Sequence, residues 1–486
     1  MPAKSRKPGR SPPPRAKKQS PHVGWQPDVG RLMPAVEALL KERYLPRRHR
    51  HSGASLADVV ADALATLSEA FTTERDTLPP AYLSRVDLRA AYLAYYLATG
   101  VATAMAVMRG AGLLPLLRAA AVAREGPLAV LDLAAGPATG ALATALLVDR
   151  ETPLSFTVQD TVPGVLRDGR HLIGTLRSDS AVTLRTGNLR DGRFVRAELP
   201  TQQDVILLLN ALNEWSAPPR RRVGSGEEEA RTDRGAELIA KLIDEKLAPG
   251  GVVVLVEPAT RSGSQRLIGV REAFAGREDL TILAPCTGAS ECPYARASTT
   301  DWCHAEHPWQ RPALVVACDR RLGHQRDRLK FSQLVLRKAP LVPAEASAGG
   351  ARPYRVIGGP MRVEGTIRRY LCGPQGRVVW QGDREALPSG HPIHHVQRGA
   401  LLQLAGEAAR ARSGRGDELV LTAQRDDGRS PREDPSGHPK GSPVSDAPER
   451  NHGSDDVPGR GPSAAAPARR DKSRGHDGPA RRGRPR

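Results

Sequence analysis

Five short apolar runs alternate with helix-like segments between residues 128 and 258, and this alternation restricts the possible fold more than any other feature. Three of the runs are apolar almost throughout, which is typical of strands buried on both faces. Such strands, separated by helices, indicate an α/β fold with a parallel, doubly wound sheet. The predicted strands are Leu128–Leu133, Ser155–Asp160, Val182–Leu184, Asp204–Leu209 and Val252–Val256.

Six stretches divide the 486-residue chain. Apolar residues recur at helical spacing before the predicted sheet, and cysteines cluster after it. Both ends have few apolar residues, so they bury too little surface to offset their ordering entropy. The predicted divisions are a disordered basic arm (1–25), an N-terminal helical domain (26–125), the doubly wound core (126–280), a Cys-rich loop with closing strands (281–340), a small β module (341–411) and a disordered tail (412–486).

Strand-like runs continue downstream of the core. Ala313–Ala317 and Lys330–Arg337 are two such runs. Gly365–Cys372 and Arg377–Trp380 flank Gly373–Gly376, a turn that predicts a hairpin within the small β module.

The net charge of the chain indicates what kind of partner it binds. The chain carries a formal charge of +19 at pH 7, and such an excess favours a polyanion because each Lys or Arg near a phosphate releases condensed counterions. The alternative is a basic composition concentrated in solvated tails. We find no apolar run of about 18 residues and expect no membrane span.

A turn rich in small residues follows the first predicted strand. Asp132 ends that strand, and Gly136 and Gly140 lie in the turn before the next helix. Small residues let the backbone approach a ligand closely, and the helix start offers free N–H groups. Asp160 ends the second strand, where a carboxylate can accept hydrogen bonds from a ribose diol. These residues predict a nucleotide site.

A polar cluster follows the fourth predicted strand. It begins at Asn210 and includes Glu214. Ligands bind at the carboxyl ends of strands in sheets of this kind, so both residues are candidates for the reacting site.

Three of the five cysteines fall in one short stretch, with the spacing Cys286-x5-Cys292-x10-Cys303. Clustered cysteines in a chain without a secretory signal favour metal or iron–sulfur ligation over disulfides. Either zinc or a [4Fe–4S] centre needs four donors. We expect Cys372 as the fourth because it ends a strand before a turn, whereas Cys318 follows an apolar run and reads as a buried hydrophobe. The alternative is a group of reduced, unliganded thiols.

The nucleotide-site residues resemble a class I S-adenosyl-L-methionine-dependent methyltransferase core, which is Rossmann-like. Asp132, Gly136 and Gly140 match its first motif, Asp160 its ribose-binding acid and Asn210 the start of its fourth motif. Ala134 lies in the same donor-binding turn, and both it and Ala138 stand where that superfamily often has glycine.

A wider resemblance covers roughly residues 30–390. The chain resembles the mitochondrial small-ribosomal-subunit methyltransferase-like assembly factors and their bacterial relatives. The matching segments are Ala90–Tyr95, Val130–Pro137, Asn210–Glu214, Leu255–Pro258, Arg271, Ala284–Cys286, Glu291–Pro293, Trp302–His304 and Lys330–Ser332.

This resemblance implies a protein that binds the small ribosomal subunit near its rRNA during assembly. It also implies a [4Fe–4S] cluster on Cys286, Cys292, Cys303 and Cys372, with zinc as the alternative metal. We expect a monomer off the ribosome, cytoplasmic in a bacterium and mitochondrial in a eukaryote.

Three hypotheses remain open. The first is a ribosome assembly or translation factor that binds S-adenosyl-L-methionine without needing turnover. The second is an active rRNA methyltransferase with Asn210 and Glu214 near the transferred methyl group. The third is a small-molecule methyltransferase with a structural zinc.

Overall fold

A computed structural model describes residues 25–45, 55–72, 81–212, 225–288, 291–295, 302–340, 351–413, 416–424 and 427. Nearly all of the predicted basic arm, the candidate Glu214 and most of the predicted tail lie outside these residues.

Thirteen α-helices and fifteen strands are considered below within the described residues. The helices are α1 Met33–Leu39, α2 Leu56–Val59, α3 Ala61–Thr72, α4 Val86–Ala91, α5 Leu97–Gly110, α6 Leu113–Ala123, α7 Thr139–Leu147, α8 Pro163–Leu176, α9 Gly192–Glu198, α10 Ser225–Glu245, α11 Arg261–Phe274, α12 Ala313–Leu322 and α13 Pro392–His395. The strands are β1 Leu128–Leu133, β2 Leu154–Asp160, β3 Ala181–Thr186, β4 Gln203–Leu209, β5 Leu247–Pro258, β6 Thr281–Ala284, β7 Ala305–Pro308, β8 Arg328–Arg337, β9 Arg352–Val356, β10 Met361–Val363, β11 Thr366–Gly373, β12 Gly376–Asp383, β13 Leu401–Leu404, β14 Ala409–Ser413 and β15 Gly416–Thr422.

The first sheet is mixed. Its strand order is β3-β2-β1-β4-β5-β8-β6, with β7 also paired to β8. Strands β1 to β5 are parallel, as predicted. The expectation of a wholly parallel sheet was wrong at one side, because β8 runs antiparallel to β5, β6 and β7. Antiparallel strands at the side of an otherwise parallel sheet are common in α/β folds.

Apolar side chains from both faces of this sheet enter separate cores. Val130, Leu207 and Val254 face a core shared with the N-terminal helices, α7 and α8. Leu131 and Ile206 point the other way, into a core shared with α9, α10 and α11. Alternate residues of β1, β4 and β5 are therefore buried on opposite faces, which explains the continuous apolar runs of these three strands in the sequence.

One helix crosses the first core. Helices α4 and α5 are joined by a π-helical turn, Tyr92–Tyr96, into a continuous 25-residue helix, Val86–Gly110. Within the described residues, this one helix has the length and composition to cross a membrane, with a mean hydropathy of 1.4 over its most apolar window. The search of the sequence for an apolar run of about 18 residues did not identify this helix, and the expectation of no membrane span stays a prediction. However, 72% of that window is buried inside the protein, and the core helix of a soluble protein passes the same test.

The second sheet has seven strands. Their order is β13-β9-β11-β12-β15-β14, and β10 pairs with β11. Strands β11 and β12 form the hairpin expected from the turn, with Gly373 opposite Gly376. Tyr354, Leu371 and Trp380 form part of its core.

Two predictions fail in this half of the chain. Ala313–Ala317 was predicted as a strand but belongs to helix α12, which ends at Gly323 with a φ of +66°. The tail was predicted to begin at 412, yet β15 pairs with β12 through Leu419 and Leu421. Both runs are short, and a short apolar run does not by itself distinguish strand from helix or from tail.

Candidate functional site

Three residues of the turn after β1 have left-handed backbone conformations. Ala134, Gly136 and Ala138 have φ values of 47°, 53° and 64°. Alanine in this region costs roughly 1–2 kcal/mol because its Cβ crowds the following carbonyl. The cost is offset by hydrogen bonds from neighbouring strands, which indicates that the turn is held in place rather than free to relax.

The carboxylate of Asp132 lies under this turn. Asp132 is 1% exposed, and its Oδ2 accepts a hydrogen bond from the Ala141 N–H at 2.8 Å. Among the described residues its Oδ1 has no hydrogen-bond partner. Burial raises the pKa of Asp132 to about 7, although the backbone N–H groups of Ala141 and Gly140 favour the ionised form.

Two consecutive residues at the end of β2, Gln159 and Asp160, accept hydrogen bonds from the backbone of this turn. Asp160 accepts hydrogen bonds from the Gly136 N–H at 2.9 Å and the Val162 N–H at 3.0 Å, one on each carboxylate oxygen. Burial raises the pKa of Asp160. Each carboxylate oxygen has a second lone pair, so the group can still accept from a ligand.

Gln159 was not identified from the sequence. Its Oε1 accepts from the Ala134 N–H at 3.0 Å, while its Nε2 donates to the Gly187 carbonyl at 2.6 Å. The signal that was available is a polar side chain at a buried position beside Asp160. It ties the turn after β1 to the end of β3.

Asn210 lies at the end of β4, on the same edge of the sheet. It has a φ of 58°, and its N–H donates to the Val256 carbonyl at 2.7 Å. The next turn is held by buried Glu257, which accepts from the Leu212 N–H at 2.9 Å. Glu214, the other candidate, lies outside the described residues.

Tyr92 lies near the turn from the long helix. A β-carbon placed on Gly136 would be 3.9 Å from the Tyr92 hydroxyl. Because Tyr92 lies 44 residues before Gly136 in the sequence, no local motif identified it as a site residue. The site therefore has an aromatic neighbour as well as carboxylates.

Four cysteines come from segments that belong to the two sheets. Cys286 follows β6, Cys292 and Cys303 lie in the segment after it, and Cys372 is in β11. Cys292, Cys303 and Cys372 pack around Ile268, Tyr294 and Ile357. Cys318 lies elsewhere, fully buried in α12 in the first core.

The thiols of these four residues influence one another electrostatically. Cys303 is affected by Cys286, Cys292 and Cys372, and burial together with these neighbours raises its pKa. The same causes raise the pKa of Cys372 to about 12. The pKa values of Cys286 and Cys292 are also raised, mainly by burial. Binding of a metal by these four thiols would therefore have to remove four protons at partly buried positions.

Two buried arginines face this group, which we call the cysteine cluster: Cys286, Cys292, Cys303 and Cys372. The Arg271 guanidinium hydrogen-bonds Cys286 and pairs with Glu272. Arg355 stands directly opposite Cys372 in the β9–β11 pair, and its guanidinium donates to the Pro285 and Gly399 carbonyls.

Arg355 is 5% exposed, and among the described residues no carboxylate pairs with it. Burial lowers its pKa, while the nearby thiols act in the opposite direction. An anionic group held by the cysteines would compensate a positive charge that is otherwise buried without a counterion.

Helix α11 and strand β8 hold the cysteine backbone. Ser264 and Ser332 both donate to the Cys303 carbonyl, at 2.7 and 3.0 Å. Glu272 accepts from the Cys292 N–H at 3.1 Å. These contacts fix the backbone around the thiols from elements that border the donor side of the sheet.

His304 is a further candidate metal ligand beside the cysteine cluster. The ring of His304, beside Cys303, accepts a hydrogen bond from Arg398 at 2.7 Å. In the described part of the chain, no three His, Cys, Asp or Glu side chains converge as a ready site for a metal ion. The four cysteines lie near one another beside Arg271 and Arg355, and their role as metal ligands stays a prediction.

Comparison with known proteins adds the family. The family model described as "Mitochondrial small ribosomal subunit Rsm22" matches residues 89–381. The chain belongs to this family. The matched region contains the turn after β1, Asp160, Asn210 and the whole cysteine cluster. No curated protein sequence matches the chain.

The search of solved structures found distant similarities, two of which follow. NSun6 from Pyrococcus horikoshii, solved with SFG, is 17% identical over 47% of this chain and 52% of that chain, with a TM-score of 0.28. Magnesium protoporphyrin IX methyltransferase from Synechocystis PCC 6803, solved with bound SAM, is 12% identical over 60% of this chain and 100% of that chain, with a TM-score of 0.29. The chain thus spans about half the length of the first and all of the second.

Proposed function

We propose that this protein is a small-ribosomal-subunit assembly or translation factor that binds rRNA. It binds S-adenosyl-L-methionine at the turn after β1 and holds a [4Fe–4S] cluster on its four clustered cysteines. One observation carries the proposal: a single family match covers both the donor turn and the cysteine cluster. In this account the donor is a bound ligand, and methyl transfer is not required.

The donor site is supported by its own geometry. The turn offers backbone N–H groups at the start of α7, and Asp160 lies beside Gly136. Helix starts and an acid at the end of the second strand are the usual nucleotide contacts in such sheets. Asp132, Ala134, Gly136, Gly140, Asp160 and Asn210 are the proposed donor contacts.

The positive charges beside the cysteine cluster support the proposed metal group. When bound, a [4Fe–4S] group would supply a rigid link between the thiolates, and a zinc ion could do the same. The chain's own residues supply the rest: Arg271 and Arg355 offset the anionic charge, and Ser264 with Ser332 holds the Cys303 backbone.

The partner and the donor can be tested on one preparation. Anaerobically purified protein should co-sediment with isolated small ribosomal subunits, and calorimetry should detect S-adenosyl-L-methionine binding. Asp132→Ala should abolish donor binding because it removes the carboxylate that holds the Ala141 N–H. Wild-type protein that neither co-sediments nor binds the donor would refute the proposal.

One observation favours a second candidate, an active rRNA methyltransferase. Asn210 is held in a left-handed conformation at the strand end nearest the donor turn, and strained backbone of this kind clusters at active sites. Incubation of subunits with radiolabelled donor distinguishes the candidates: label in rRNA that disappears in Asn210→Ala would establish turnover.

A further inference from the structure

An arginine-lined pocket lies on the outer side of α8, away from the donor turn. Its volume is about 400 Å³, and it is lined by Arg43, Arg167, Arg170, His171, Gly174 and Thr175. Neither the donor site nor the cysteine cluster uses any of these residues. Pockets of this size can hold a small ligand or part of a larger one.

Helical spacing brings the α8 residues to one face. Arg167, Arg170, His171 and Gly174 are separated by three, four and seven positions, so they are neighbours on the helix surface. Like charges at this spacing destabilise a helix by a few tenths of a kcal/mol. Among the described residues, neither Arg167 nor Arg170 has an ion pair or hydrogen bond that offsets this repulsion.

Arg43 is held at the pocket by an ion pair with a buried carboxylate of α8. Its Nη1 lies 3.3 Å from Oδ1 of Asp168, a carboxylate whose side chain is 4% exposed. Asp168 also accepts from the Tyr44 hydroxyl and lies 3.4 Å from Nε of Arg89. Because one buried carboxylate is shared by two guanidinium groups, the region keeps a positive excess.

Gly174 leaves the pocket floor open. A β-carbon added there would meet no atom within 4 Å, so packing does not explain a glycine inside this helix. Glycine in a helix interior costs about 1 kcal/mol relative to alanine. An uncovered backbone next to three arginines suits close approach by an external group.

We propose that this pocket binds the phosphodiester backbone of RNA. Planar guanidinium groups bind phosphate oxygens in pairs, and the open polar surface suits a chain that passes across it rather than an enclosed small molecule. The inference rests on the rRNA partner proposed above and assigns a surface to it.

The test compares two double variants of the full-length protein. Arg167→Gln/Arg170→Gln changes the pocket, and Arg193→Gln/Arg196→Gln is the matched control, since those arginines have the same spacing on the exposed face of α9. The probe is a transcript of small-subunit rRNA, and its affinity is measured between about 50 and 200 mM salt. The melting temperatures of both variants establish that each is folded.

We expect the pocket variant to bind roughly tenfold more weakly and to lose about one to two units of salt slope, while the control stays near wild type. Equal losses in both variants, or none in the pocket variant, would overturn the assignment of this surface while leaving the rRNA partner intact. Wild-type protein that does not bind the transcript would overturn the proposed function as well. Full competition by polyglutamate would assign the pocket to acidic protein instead.

Discussion

Asp132 shows how one buried carboxyl group couples the donor turn to pH. Its pKa is raised to about 7 by burial from an ordinary value of 3.8. Between these values the folded protein holds a proton that the unfolded chain has lost. The stability contributed by this group is therefore complete below about pH 4 and falls as pH rises through 7.

Asp132→Asn should remove that dependence because the amide does not ionise. We expect wild-type protein to lose about 3 kcal/mol more stability than the variant between pH 5 and pH 8, from two units of the shift at 1.36 kcal/mol each. Urea denaturation at both pH values measures the difference. Parallel losses in the two proteins would show that Asp132 ionises normally in the fold.

Substitution of Arg355 tests whether the cysteine cluster holds an anionic group. Arg355→Met keeps an apolar stem but removes the buried guanidinium opposite Cys372. If the cysteines hold an anionic metal group, the variant should retain less metal and have a lower reduction potential, and Arg355→Lys should recover part of both. Metal content and a dye-coupled reductive titration provide these readouts. Unchanged potential and metal content in Arg355→Met would contradict the role.

Local motifs identified some site residues and missed others for a physical reason. Asp132, Gly136 and Asp160 follow strand ends, where the turn chemistry is visible in a few consecutive residues. Tyr92 and Arg355 reach their sites from distant segments, and only the packing of helix and sheet brings them there. A single sequence contains no local signal for such long-range contacts.

At the scale of elements, α8 packs against the turn after β1 with one part of its surface and lines the arginine pocket with another. Gly169 faces inward, where an added β-carbon would lie 2.8 Å from the Pro137 carbonyl carbon and from the Ala138 β-carbon. Gly174 faces the open pocket. The same residue type therefore serves close packing at one position and an open surface at the other.

Gly169→Ala and Gly174→Ala should have opposite effects. Gly169→Ala should destabilise the protein by about 1–3 kcal/mol and weaken donor binding, since the added methyl group pushes α8 against the turn. Gly174→Ala should stabilise it by up to about 1 kcal/mol, because alanine is the better helix former and meets no atom there. Thermal unfolding measures both. Equal destabilisation of the two variants would argue against this packing of α8.

The elements themselves differed in how well the sequence predicted them. The five parallel strands are short runs that alternate with helices, and that alternation has few other solutions. Helix α12 was predicted as a strand because Ala313–Ala317 is too short to show helical periodicity. Strand β8 was found, but its antiparallel direction depends on pairing with β5, which composition does not encode.

At the scale of the whole molecule, the cysteine cluster links the two sheets. Cys372 belongs to the second sheet, whereas the other three cysteines lie between β6 and β7 of the first. The Arg355 hydrogen bond to the Pro285 carbonyl and the Arg398 carbonyl bonded to the Glu306 N–H also cross between these regions. A bound metal group would therefore stabilise the two sheets together, because the free energy of metal ligation adds to the free energy of folding.

The most direct test of the account is iron, sulfide and zinc analysis of anaerobically purified protein, with Cys372→Ser compared with Cys318→Ser. We expect about four irons and four sulfides in wild-type protein and in Cys318→Ser, whose thiol lies in the first core, with loss of both in Cys372→Ser. One zinc without iron, or full iron in Cys372→Ser, would contradict it.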